Sequence, residues 1–172
     1  MKARILFLRW SLVVSLTVVG LVIAAVLGWF ELMYRLDVTK LSVAILVVFA
    51  AATVWCGLLT WRLETGLEVI RGPENRSKLF REVDGNAEHG WFAAGICEKL
   101  GLTGTVFGFV IMLIGGFSGF QSTDPAATQQ LLERLSTGMS TAFITTLVGV
   151  ICSILLSIQY HLLARAVERY KP

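Results

Sequence analysis

Four of the five threonines in two stretches built mainly from Val, Ile, Leu, Phe and small residues are candidates for chemistry. Thr105 lies in GLTGTVFGFVIMLIGG (101–116), and Thr141, Thr145 and Thr146 lie in GMSTAFITTLVGV (138–150). A hydroxyl is no proton carrier at neutral pH, yet it can donate to a carboxylate, orient water or coordinate a stripped cation. One threonine in an apolar helix says little, because it can bond the carbonyl four residues back. Four of them on two neighbouring helices form a polar band, which makes sense if another polypeptide brings the charge. Residues 100–163 place no Asp, Glu, Lys or Arg in the sections expected to lie in hydrocarbon. Pumps and proton relays rely on such intramembrane groups, so this chain alone is not expected to hold and release a proton at mid-membrane.

The same stretches carry small residues at helical spacing. Gly104 and Gly108 form a GxxxG pair that Gly101 extends, Thr145, Gly149, Ser153 and Ser157 follow one another at i+4, and Ala142 sits four before Thr146. Lipid supplies no hydrophobic drive to pair helices, so close backbone approach through small residues is what joins them. The pattern fits packing within one bundle and packing between subunits equally well.

Helices must position these residues. The chain has 172 residues, 55% hydrophobic and 16% charged, and its apolar residues collect into long uncharged runs as in a polytopic membrane protein. About 20 mostly apolar residues cross a hydrocarbon core of about 30 Å. Four runs meet that length: residues 10–30, 41–61, 100–120 and 138–163. The first follows Lys2, Arg4 and Arg9, but it is longer than a signal-peptide core and ends in no clear small-x-small site, so it reads as a retained span. With all four crossing, twelve Lys and Arg residues fall on the side of both termini and three on the other. The positive-inside rule then places both termini in the cytoplasm.

The expected fold is all-α: four transmembrane helices, with helices two to four projecting into the cytoplasm. Residues 1–62 form a peripheral hairpin, 63–99 a short cytoplasmic helical segment, and 100–172 a pore-forming hairpin with an external loop at 118–137. The second helix should continue past Leu63 and Leu67 to a stop at Gly72-Pro73. Residues 74–88 form at most a short helix of their own, and the third begins near Glu88. Asp124-Pro125 reads as the start of a short external helix.

Other chemistries find little support. Cys56, Cys97 and Cys152 form no CxxC or Cys/His ligand spacing and read as small apolar filling. Nucleophile–base pairs, phosphate-binding glycine loops and zinc spacings are missing from the pattern, so a non-enzyme without a metal or nucleic-acid partner is expected. Glu98 and Lys99, just before the third run, read as interfacial anchors or an intersubunit pair rather than proton-exit groups. His89 and His161 read as surface or interfacial, and the five tryptophans as a boundary belt.

LGLTGTVFGF (100–109), followed across an external loop by GMSTAFITTLVGV (138–150), resembles the paired pore-helix elements of the MotA/TolQ/ExbB proton-channel family. The resemblance covers about residues 95–160. It implies a homopentameric ring around a dimeric single-span partner that carries an intramembrane aspartate, in a bacterial inner membrane. Proton motive force, or sodium motive force in some members, would drive relative motion of ring and core. By position, Thr105 and Thr146 match the family threonines near the ion path, with Thr141 and Thr145 in the same partner-facing band. Thr141 stands where TolQ- and ExbB-like members often have Glu. Four spans resemble the motility branch, while residues 62–99 are far shorter than that branch's torque domain. Two further readings use the same pattern: a non-conducting scaffold that assembles and localises partners, and a four-span anchor for a soluble enzyme.

Overall fold

The computed structural model describes residues 4–37, 39–69, 73–117 and 125–170. They form five helices: α1 Arg4–Val26, α2 Trp29–Leu36, α3 Leu41–Val69, α4 Pro73–Phe117 and α5 Pro125–Tyr170. No strand occurs among the described residues. Three helices are long and apolar enough to cross a membrane, or up to four if the bent pair Trp10–Val26 and Trp29–Leu36 counts as one span. Helices suit such sequences because every mid-helix N–H and C=O bonds within its own segment, and lipid offers no other partner.

Three expectations are corrected. The run over residues 10–30 is not one straight helix: it breaks at Leu27-Gly28, where Gly28 takes φ 75°, and the two pieces meet at 72°. Glycine adopts that left-handed conformation without a Cβ clash. The residues just after the break form a second helix, α2. Residues 74–88 form no separate helix, because α4 runs unbroken from Pro73. The short external helix after residue 124 is likewise continuous with the fourth apolar run, as α5. Pro73 and Pro125 each open a helix, at a position whose N–H has no intrahelical acceptor to lose. Gly72, the Asp124 cap and residues 118–124 of the expected external loop lie outside the described residues.

Five contacts set the register of the helices. The Tyr160 ring lies where a Cβ on Gly90 would be, and its hydroxyl donates to Ala52 O at 2.8 Å. One layer therefore holds the middle of α3, the first half of α4 and the last third of α5. Arg62 meets Glu82 at 3.9 Å, and the Leu79 side chain fills the space beside Gly66. At the other end the Thr141 hydroxyl donates to Leu36 O at 2.6 Å. Consequently α3 and α5 run parallel and α4 runs antiparallel to both. The charge-free stretch of α3, residues 41–61, is flanked by α4 residues that precede Leu100, and α4 and α5 extend beyond the start of α3.

The buried core follows these contacts, with Ile45, Phe49, Leu63, Val83, Leu156 and Leu163 among its members. Cys56, Cys97 and Cys152 are free thiols within it. Trp10 ties α1 to α3: its indole occupies the notch left by Gly57, where a Cβ would lie 2.6 Å from the ring. Trp10 is thus a packing residue rather than only part of a boundary belt.

Candidate functional site

The α4–α5 seam is built from small residues. A Cβ on Gly101 would lie 3.1 Å from Thr145 O and 3.2 Å from the Gly149 Cα. On Gly108 it would lie 2.7 Å from Gly138 O and 2.8 Å from the Ala142 Cβ, and on Gly149, 2.7 Å from Cys97 O. At Gly104 it would strike the Thr145 side chain. Gly101, Gly104, Gly108, Ala142 and Gly149 therefore make contact within one chain. Ser153 is half-buried further along α5.

This close approach sorts the four threonines into two pairs. Thr141 and Thr145 are fully buried. Thr141 donates to Leu36 O and also lies 3.1 Å from Thr137 O, while Thr145 donates to Thr141 O at 2.9 Å and reaches Ala142 O at 3.2 Å. Their hydroxyls face carbonyls of their own chain, so they leave the expected partner-facing band. Thr141 ties α5 to the last carbonyls of α2, which have no acceptor role left within that helix.

Thr105 and Thr146 behave differently. Both are half-buried, and their hydroxyls hydrogen-bond each other across the seam. Thr105 also reaches Gly101 O at 3.3 Å and Ala142 O at 3.5 Å, and Thr146 reaches Gly101 O at 3.2 Å. Gly101 makes the pair possible, since a side chain there would force the helices apart. Exposed apolar residues flank the hydroxyls: Leu102, Val106 and Phe109 on α4, and Phe143, Leu147 and Val150 on α5. No Asp, Glu, Lys, Arg or His occurs in residues 100–117 or 135–160. Two adjoining hydroxyls in an apolar frame can rotate to donate to a carboxylate or to offer lone pairs to a small cation.

Several structural residues escaped the sequence reading. Tyr160 and Gln159 are fully buried in the last third of α5, and the Gln159 amide reaches Thr53 Oγ1 at 3.5 Å. A lone Tyr in an apolar run does not disclose that a glycine seventy residues away makes room for it. Asp37 was legible in principle as a cap before an apolar run. Its Oδ1 accepts from the Thr39 N–H at 3.1 Å and the Thr39 hydroxyl at 2.7 Å, and its Oδ2 accepts from the Ser42 N–H at 2.8 Å. Burial pushes this carboxyl up, but the hydrogen bonds from Ser42 and Thr39 outweigh it and hold the group below its ordinary value.

A family model described as the MotA/TolQ/ExbB proton channel family matches residues 81–171. Comparisons with curated proteins and with solved structures give no match. The matched stretch is more than half of the chain and contains the entire seam with both half-buried threonines. The protein is therefore a membrane protein that belongs to the MotA/TolQ/ExbB proton channel family.

Proposed function

We propose that this chain is the ring subunit of a motor or energy-transducing channel driven by proton or sodium motive force. In this reading a homopentamer lies in a bacterial inner membrane with both termini cytoplasmic and four spans per chain. It surrounds a dimer of a single-span partner whose intramembrane Asp takes up the ion. The observation that carries the reading is the Thr105–Thr146 pair: two touching hydroxyls, half-exposed, in an apolar frame that holds no ionisable group of its own. Family membership supports ion-driven energy transduction. The pair would receive the partner's carboxylate, stabilise it while charged and release it once it is protonated or ion-loaded.

Purification of the full chain with its native membrane partners, followed by reconstitution into vesicles, tests this. A single-span protein with an Asp in its span should copurify, and gradient-driven ion flux should fall by at least about tenfold in the Thr105→Val/Thr146→Val double variant, with assembly unchanged. Full flux in that variant would remove the reading.

One observation favours a second reading, a non-conducting scaffold. Every hydroxyl of the four threonines already has a carbonyl of its own chain within reach, so none needs a visiting ion. A biological activity that survives collapse of the ion gradient selects the scaffold.

A further inference from the structure

The register of α3 against α4 moves one charged residue to an unexpected depth. Glu82 pairs with Arg62 at the end of the charge-free stretch of α3. Glu98 lies sixteen residues further along the unbroken α4, which at 1.5 Å per residue is about 24 Å toward the other end. Tyr160 confirms the level: it joins Gly90 to Ala52, and Glu98 lies about 12 Å beyond Gly90, beside the first turns of α3. Glu98 therefore sits about 6 Å inside the start of the charge-free stretch of α3, and the approach of Gly149 to Cys97 O sets it level with the charge-free residues 135–160 of α5. It lies alongside residues 41–61, and its side chain is exposed on the single chain. A carboxylate at that depth is expensive against lipid and inexpensive against a wet or partner-filled lumen, which makes it a functional group by default.

The face of α4 that carries Glu98 is also fixed. Glu98 precedes Thr105 by seven residues, two helical turns, so both lie on one side of α4 about 10 Å apart. Ser153 follows Thr146 by the same seven residues on the antiparallel α5 and is half-buried. The groove with Thr105 and Thr146 at one level thus has Glu98 and Ser153 at the next. We infer that Glu98 is a second station on the ion path, a carboxylate that takes the proton or monovalent cation from the level of the Thr105–Thr146 pair toward the side of the Arg62–Glu82 pair.

The surroundings leave Glu98 free for this. Lys99 is the nearest charged residue in the chain but points about 100° away around the helix. Asp84, Glu88 and His89 lie further along α4 toward Glu82. On α5, Arg134 and His161 are the nearest residues of charged type; at α3 they are Lys40, just before its first residue, and Arg62. For a proton the step is a simple transfer: the Glu98 carboxylate binds H+ released at the partner's carboxyl and later gives it to water, with no other bond changed.

The inference rests on the proposed ring-subunit function, and the reconstituted complex separates the two. Glu98→Gln should lower gradient-driven flux by at least about tenfold and remove the acidic limb of its pH profile, while Glu98→Asp keeps flux and shifts that limb. In the unmodified complex, a hydrophobic carbodiimide should label Glu98 and stop flux in proportion. The inference is overturned if Glu98→Gln keeps both flux and pH profile while the threonine double variant is inactive. Should Glu98→Gln fail to assemble, absence of carbodiimide label at Glu98 overturns it instead. Full flux in the threonine double variant removes the underlying function as well.

Discussion

The Thr141 hydroxyl donates a 2.6 Å hydrogen bond to the carbonyl of Leu36, joining residues 105 positions apart and fastening α2 to α5. It ties a side chain of the family-matched stretch to the backbone of α2. Thr141→Val should leave the Leu36 carbonyl without that donor and cost about 1–3 kcal/mol. Thr141→Ser should keep most of the stability. Thermal unfolding of the detergent-solubilised chain, followed by circular dichroism, distinguishes the three proteins.

Asp37 sets an acid limit. Its folded pKa lies below the ordinary carboxylate value, so the stability it supplies is fully present above the unfolded pKa, near 3.9. That stability is lost as pH falls through the lower folded value. A melting-temperature series should therefore be flat in this contribution above about pH 5 and fall below pH 4. Asp37→Ala should remove the step and lower stability at neutral pH by about 0.5–2 kcal/mol, as loss of a cap does.

Glycine substitutions should rank by the space beside them. A methyl on Gly108 or Gly149 meets backbone atoms at 2.7 Å, which helices cannot relieve without moving apart, so Gly108→Ala and Gly149→Ala should each cost about 1–3 kcal/mol. Gly101→Ala, whose nearest contacts are 3.1–3.3 Å, should cost less. Gly20→Ala, with nothing within 4 Å, should be neutral or slightly stabilising. Equal melting temperatures for Gly20→Ala and Gly108→Ala would refute the ranking.

Trp10 should act as the latch of α1. Trp10→Ala empties the notch beside Gly57 and should cost about 3–5 kcal/mol if the site does not collapse. The visible consequence is local: α1 should become accessible to protease in detergent at temperatures where α3, α4 and α5 remain protected. Uniform loss of protection across all helices would contradict a latch confined to α1.

Much of this architecture is legible in the residues alone. Uncharged runs announce helices of membrane length, because a bilayer tolerates no unpaired backbone and few charges. The ordered elements around Thr105 and Thr146 announced the family, since both lie in a stretch where close helix contact restricts residue type. Glycine spacing also showed that α4 and another helix approach closely. Boundaries were less legible: polar residues 74–88 looked like a separate piece because composition marks what water tolerates, while helix continuity is a backbone property that polar residues also support.

Only the tertiary arrangement decided which threonines look outward. Thr145 and Thr146 are adjacent in sequence, yet one turns toward Gly104 and its own carbonyls while the other meets Thr105. Successive helix residues differ by about 100°, so the neighbouring helix, not residue type, selects the face. Depth was equally hidden. Hydropathy places Glu98 at an edge of its own run, but the level of a residue in a bundle depends on how far each helix slides past the next. Here that sliding is set by Tyr160 filling the space at Gly90 and bonding Ala52 O.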